Sequence, residues 1–104
     1  LIGQAESMTI DFLSKWVRKG QSPLCGNSVH TDRRFIRKEM PEIENFLHYR
    51  IIDVSTIKGL AKHWYPSVIP PEKKSAHLAM SDIKESVEEL KWFRENIFKT
   101  KIDE

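Results

Sequence analysis

Two short apolar runs constrain this chain more than anything else in it. PLCGNS, residues 23–28, reads as a brief strand entering a turn, and RIIDV, residues 50–54, reads as a second strand. The segments around them carry helical periodicity or turn chemistry. AESMTIDFLSKWVR, residues 5–18, places Ile10, Phe12, Leu13, Trp16 and Val17 on one side of a helix that Gly20 stops. DRRFIRKE, residues 32–39, forms a short helix, and PEIENFLH, residues 41–48, forms another with Pro41 in its first turn. TIKGLAKHWY, residues 56–65, follows the second strand as a helix, with Ser55 or Thr56 as its cap. YPSVIPPEKK, residues 65–74, holds three of the five prolines and is a loop. A long helix over about residues 76–97 closes the chain, with Ile83, Val87, Leu90 and Ile97 inward. Strands alternating with helices make this an α/β fold with a parallel pair. Two short strands are a poor sheet, so further strands are expected beside them. Leu1 opens straight into helix-like sequence, and the chain reads as processed or truncated.

A length of 104 residues fits one domain, residues 1–104, with one modest core. Hydrophobic residues at 39% and charged residues at 31% are an ordinary foldable composition. A formal net charge of +2 excludes the broad basic footprint of a duplex-DNA binder but leaves room for a short anionic ligand. The one cysteine, Cys25, precludes an intrachain disulfide and suits a reducing, intracellular compartment. Its neighbours, PLCG, favour a buried structural thiol. No apolar run approaches the roughly 18 residues of a membrane-spanning helix. No signal-peptide pattern is present.

Three segments concentrate polar groups: GNSVHTDRRF, HYRIIDVST and SAHLAMSD. In α/β sheets, ligand groups gather beyond the carboxyl ends of the strands. Asp32 lies past the first strand. Ser55 and Thr56 lie past the second, at a helix N-terminus whose N–H groups favour an anion. Arg50 offers a planar fork for phosphate. His77 stands five positions before Asp82, about 140° away on an ideal helix. The two converge only if His77 sits at the frayed helix start or in the loop before it.

Taken together, GNS-x-x-x-DRRF, HYRIIDVST and H-x-A-x-x-DI-x-ES resemble the oligoribonuclease family, small 3′-to-5′ exoribonucleases of the DEDDh group with an RNase H-like fold. The resemblance runs from about Phe12 to Lys99 and covers the C-terminal part of the family's length. WYP and NIFK are similar to eukaryotic members. The resemblance implies the helix-rich C-terminal part of that fold, with three N-terminal strands missing. It implies that Asp32 and Asp82 are metal ligands and that His77 is the general base. Two divalent cations, Mg²⁺ or Mn²⁺, would activate a water and clamp the scissile phosphate. Ser28, Arg50, Ser55 and Thr56 match a cap on the substrate's 5′ phosphate, which implies very short RNA, dinucleotides above all. Tyr49 matches a tyrosine that reaches the partner subunit's site in a homodimer. A cytoplasmic or mitochondrial location follows from the same resemblance. The sequence departs from the family in one respect: its first motif, Asp-x-Glu, occurs nowhere in these residues.

Each of these residues also has a structural reading. Asp32 fits a helix N-cap or first-turn acid, and Asp53 a strand-end acid that orders the following turn. Arg33, Arg34, Lys73 and Lys74 read as solvated faces. His30, His48 and His63 lack metal-ligand spacing and are unassigned. Trp16, Trp64 and Trp92 fit core or dimer packing better than base stacking. Glu42 and Glu44 face apart on a helix and are poor substitutes for the absent motif. Two functions therefore stand: an exoribonuclease of which this is a piece, and a non-catalytic dimerisation or nucleotide-binding fragment.

Overall fold

The computed structural model describes residues 1–72 and 78–99. The described elements are α1 (Ile2–Ser14), β1 (Leu24–Gly26), α2 (Val29–Glu39), α3 (Pro41–Phe46), β2 (Ile51–Asp53), α4 (Val54–Trp64) and α5 (Ala79–Asn96). The two strands form one parallel two-stranded sheet, so the α/β class and the element order agree with the sequence reading. The chain divides into two compact units, Leu1–Ile52 and Asp53–Glu104.

The first unit is built on a capping contact between helices. Pro41 opens α3, and the residue before it, Met40, supplies no side-chain cap. The first backbone N–H groups of a helix have no partner within it and need an acceptor. Glu6 of α1 provides one: its Oε2 accepts from the N–H of Glu42 at 2.8 Å and of Ile43 at 3.1 Å. A carboxylate at that end also suits the helix dipole. The half-buried face of α1 is accordingly Glu6, Ile10, Leu13 and, just past the helix, Val17, spaced four, three and four residues apart. Phe12 and Trp16, expected on this face, are 59% and 75% exposed. Phe12 lies about 200° around the helix from Ile10 and cannot share its face. Val29, Ile43 and Phe46 are the buried apolar side chains of the unit.

The turn from β1 into α2 depends on the absence of a side chain. A Cβ on Gly26 would come within 2.7 Å of Val29 Cγ1, and Val29 is almost fully buried. Ser28 follows in the left-handed region, φ 54° and ψ 43°, as the residue preceding the helix. That conformation costs a non-glycine residue about 1–2 kcal/mol. Cys25 is exposed, not buried as its neighbours imply, because its side of the short strand is uncovered. Its thiol donates to the Pro23 carbonyl at 3.4 Å, and partial desolvation raises its pKa.

The second unit pairs α4 with α5. Val54, Ala61 and Phe93 form its core, with Ile57, Leu90, Trp92 and Ile97 packed against it. Trp92 meets Phe93 edge-on at 5.4 Å between centroids. Glu89 is buried and its carboxylate lies 3.5 Å from the ammonium of Lys58. Leu90 and Ile97 thus face inward as expected, whereas Ile83 and Val87 are exposed. Val87 lies about 120° around the helix from Phe93, on a different apolar stripe. Trp64, like Trp16, is exposed and takes no part in a core among the described residues.

Two outcomes follow. Gly26→Ala is expected to lower stability by about 1–3 kcal/mol in urea unfolding, since a Cβ there overpacks a stiff, buried valine. Alkylation of Cys25 by iodoacetamide is expected to be slower than that of free cysteine at mildly alkaline pH, with a midpoint displaced to higher pH, because desolvation favours the neutral thiol.

Candidate functional site

The polar groups singled out by sequence fall at the two strand-to-helix turns and at the start of α5. In the first unit, Ser28 immediately precedes α2 and Asp32 is the acid of its first turn. Asp32 is exposed. The Thr31 hydroxyl donates to the Ser28 carbonyl at 2.8 Å and secures the turn. Tyr49 and Arg50 stand side by side before β2, with the Arg50 guanidinium 5.4 Å from the centre of the Tyr49 ring. Both are exposed.

In the second unit, the cap of α4 is Asp53, not Ser55 or Thr56. Its Oδ1 accepts from the Ser55 N–H at 2.9 Å. An aspartate in extended backbone at a strand end has the reach and φ/ψ that an N-cap needs. Ser55 and Thr56 therefore occupy the first turn of the helix, and the Ser55 N–H is committed to the cap. The structural reading of Asp53 is correct. Asp82 lies in the first turn of α5, exposed, with its N–H donating to the Leu78 carbonyl at 2.9 Å. That helix begins at Ala79, and His77 lies outside the described residues, as do Lys73 and Lys74.

The structure thus brings together Ser28 with Asp32, and Tyr49 with Arg50, within the first unit. Asp82, Ser55 and Thr56 belong to the second. Among the described residues, no three His, Cys, Asp or Glu side chains converge in a way that could hold a metal ion. Asp32 and Asp82 supply hard oxygen donors of the kind Mg²⁺ or Mn²⁺ takes, but the described residues do not complete a cation site. No catalytic step through a metal is therefore assigned to them.

Two side chains escaped the sequence reading. Arg33 is not a solvated arginine: its Nη1 donates to the Tyr49 carbonyl, and its Nε lies 3.6 Å from Glu44 Oε1. His48 is not idle either: its Nδ1 accepts from the Arg50 N–H at 3.0 Å and its ring stacks on Tyr49. The signal for both was faint, an HYR run whose histidine stands fifteen residues after Arg33. Arg34 is exposed, as expected.

The family model for exonucleases matches residues 2–90. This chain belongs to the exonuclease family. It is 55% identical over 96 residues to an oligoribonuclease of Vibrio campbellii, an alignment that covers 91% of the chain and 53% of that relative. Over 98 residues it is 55% identical to an oligoribonuclease of Hydrogenovibrio crunogenus, covering 93% of the chain and 53% of the relative. An oligoribonuclease of Haemophilus ducreyi is 52% identical over 96 residues, covering 91% and 52%. The chain is thus similar to oligoribonucleases over most of its own length, and it spans about half the length of these relatives. All three are bacterial, so the likeness of WYP and NIFK to eukaryotic members stays an expectation of the sequence. No helix among the described residues is long and apolar enough to cross a membrane.

Asp53→Ala is expected to cost about 1 kcal/mol of stability, because it strips the acceptor from the first turn of α4. Asp53→Asn or Asp53→Ser should retain most of it. Thermal unfolding of the three variants checks the cap.

Proposed function

We propose that this chain is the C-terminal part of a 3′-to-5′ exoribonuclease that degrades very short RNA to mononucleotides. The observation that carries the reading is 55% identity to an oligoribonuclease across 91% of the chain. Asp32 and Asp82 would contribute carboxylates to a divalent-cation site whose other ligands lie outside this chain. Mg²⁺ or Mn²⁺ bound there would polarise the scissile phosphate and acidify a water. His77, which precedes α5 in the sequence, would remove that water's proton. An imidazole is suited to this because its ordinary titration range lies near neutrality. Arg50, with Ser28, Ser55 and Thr56, would hold the 5′ phosphate of the substrate. A grip on one end and chemistry at the other would favour dinucleotides.

The left-handed Ser28 supports this reading. Strained backbone outside glycine persists where surrounding structure enforces it, often at ligand sites. Tyr49 stands exposed beside Arg50, as a residue reaching a partner subunit in a homodimer would. The sheet of two three-residue strands is short of the size that is stable alone, which fits an RNase H-like sheet completed by three N-terminal strands. A second reading, nucleotide binding without turnover, is favoured by one observation: the described residues gather no three metal donors.

The 104-residue chain incubated with Mn²⁺ and a labelled 5′-phosphorylated RNA dinucleotide is expected to release almost no mononucleotide. Joined to the N-terminal part of the Vibrio campbellii relative, it should cleave. His77→Ala and Asp82→Asn should each lower that cleavage by about a hundredfold or more. Cleavage indifferent to both substitutions would refute the assignment.

A further inference from the structure

The segment His48–Tyr49–Arg50 is tied down at every residue. The His48 N–H donates to the Ser22 carbonyl at 2.9 Å, which fixes the segment to the loop before β1. The Tyr49 carbonyl accepts from Arg33 of α2. The Arg50 N–H donates to His48 Nδ1 at 3.0 Å. An imidazole nitrogen that accepts is unprotonated, so the neutral ring carries its proton on Nε2. That ring also stacks on Tyr49, 4.5 Å between centroids and 25° between planes. Arg33 is itself oriented by Glu44, which sits 3.6 Å from its Nε and binds Arg37 at 2.7 Å.

All these bonds hold backbone or ring, whereas the Tyr49 and Arg50 side chains project into solvent. Tyr49 is 65% exposed. A fixed backbone that displays a tyrosine and a guanidinium contributes little to the fold's own core. It is well suited to a ligand: fixing the segment in advance removes ordering entropy that binding would otherwise cost. Arginine in particular needs a defined origin, since its planar fork binds phosphate in two hydrogen bonds only when correctly aimed.

We propose that Arg33 and His48 are positioning residues that hold the Tyr49–Arg50 segment in the conformation that presents Arg50 to a terminal phosphate. Arg33 acts on the Tyr49 carbonyl, and His48 acts on the Arg50 N–H. Neither touches the ligand. The inference rests on the reading of Arg50 as a phosphate contact.

The test uses the 104-residue chain and two RNA dinucleotide probes, one with a 5′ phosphate and one with a 5′ hydroxyl. Fluorescence anisotropy gives the affinity ratio, and amide hydrogen exchange gives the protection of Arg50. The wild-type chain should prefer the phosphorylated probe. In Arg33→Ala and His48→Ala that preference should fall by about tenfold, and the Arg50 amide should exchange faster. His48→Asn should keep both properties, because its side-chain carbonyl can accept in place of Nδ1. Alanine variants with wild-type preference and wild-type Arg50 exchange would overturn the proposal, as would an asparagine variant that behaves like alanine. If the wild-type chain shows no preference, the phosphate reading of Arg50 fails. Arg50 exchange then decides the positioning role alone: acceleration in His48→Ala supports it, and an unchanged rate overturns it.

Discussion

The close approach of Gly26 to Val29 is the constraint on which the first strand-to-helix turn depends. Without a side chain at residue 26, the chain can leave β1, seat Val29 in the interior and begin α2 at that same residue, three positions later. Ser28, within that tight passage, adopts left-handed backbone. The same passage fixes where Asp32 emerges, because the first turn of α2 starts from it. Asp32 is therefore positioned by packing one turn earlier.

The second turn solves the same problem with a different device. β2 ends in Asp53, whose carboxylate accepts from the Ser55 N–H and starts α4 directly. A capping aspartate and an anion-binding helix N-terminus compete for the same N–H groups. At Ser55 the cap has taken one of them. Among the described residues, neither turn gathers three metal-donor side chains.

Much of the fold was legible because its signals are local. Apolar runs of three to five residues, the proline-rich stretch and the periodic helices each reflect short-range geometry. Element ends were less so: α1 and α2 begin three residues earlier than the periodicity indicates, and α5 begins three later. The candidate site was legible as motifs, which gave Ser28, Asp32, Arg50 and Asp82 their candidate roles. Arg33 and His48 lie within the DRRF and HYRIIDVST motifs, but their holding roles were not legible there, because one acts on a carbonyl sixteen residues away and the other on the backbone N–H two residues on.

By itself the sequence determined the kinds of elements, their order and the family, since propensity, turn chemistry and motif identity are written in consecutive residues. Only the tertiary structure decided between alternatives that are locally equivalent. On α5 several apolar positions were locally equivalent, and packing against α4 buried Phe93 and half-buried Leu90 while leaving Val87, and Ile83 on the same face as Leu90, exposed. On α1 the inward position went to Glu6, because the first turn of α3 needed an acceptor there. Arg33 became a strut, not a solvated charge, because the Tyr49 carbonyl came within its reach. In each case the free energy that settles the choice comes from a partner distant in sequence, and no local pattern contains it.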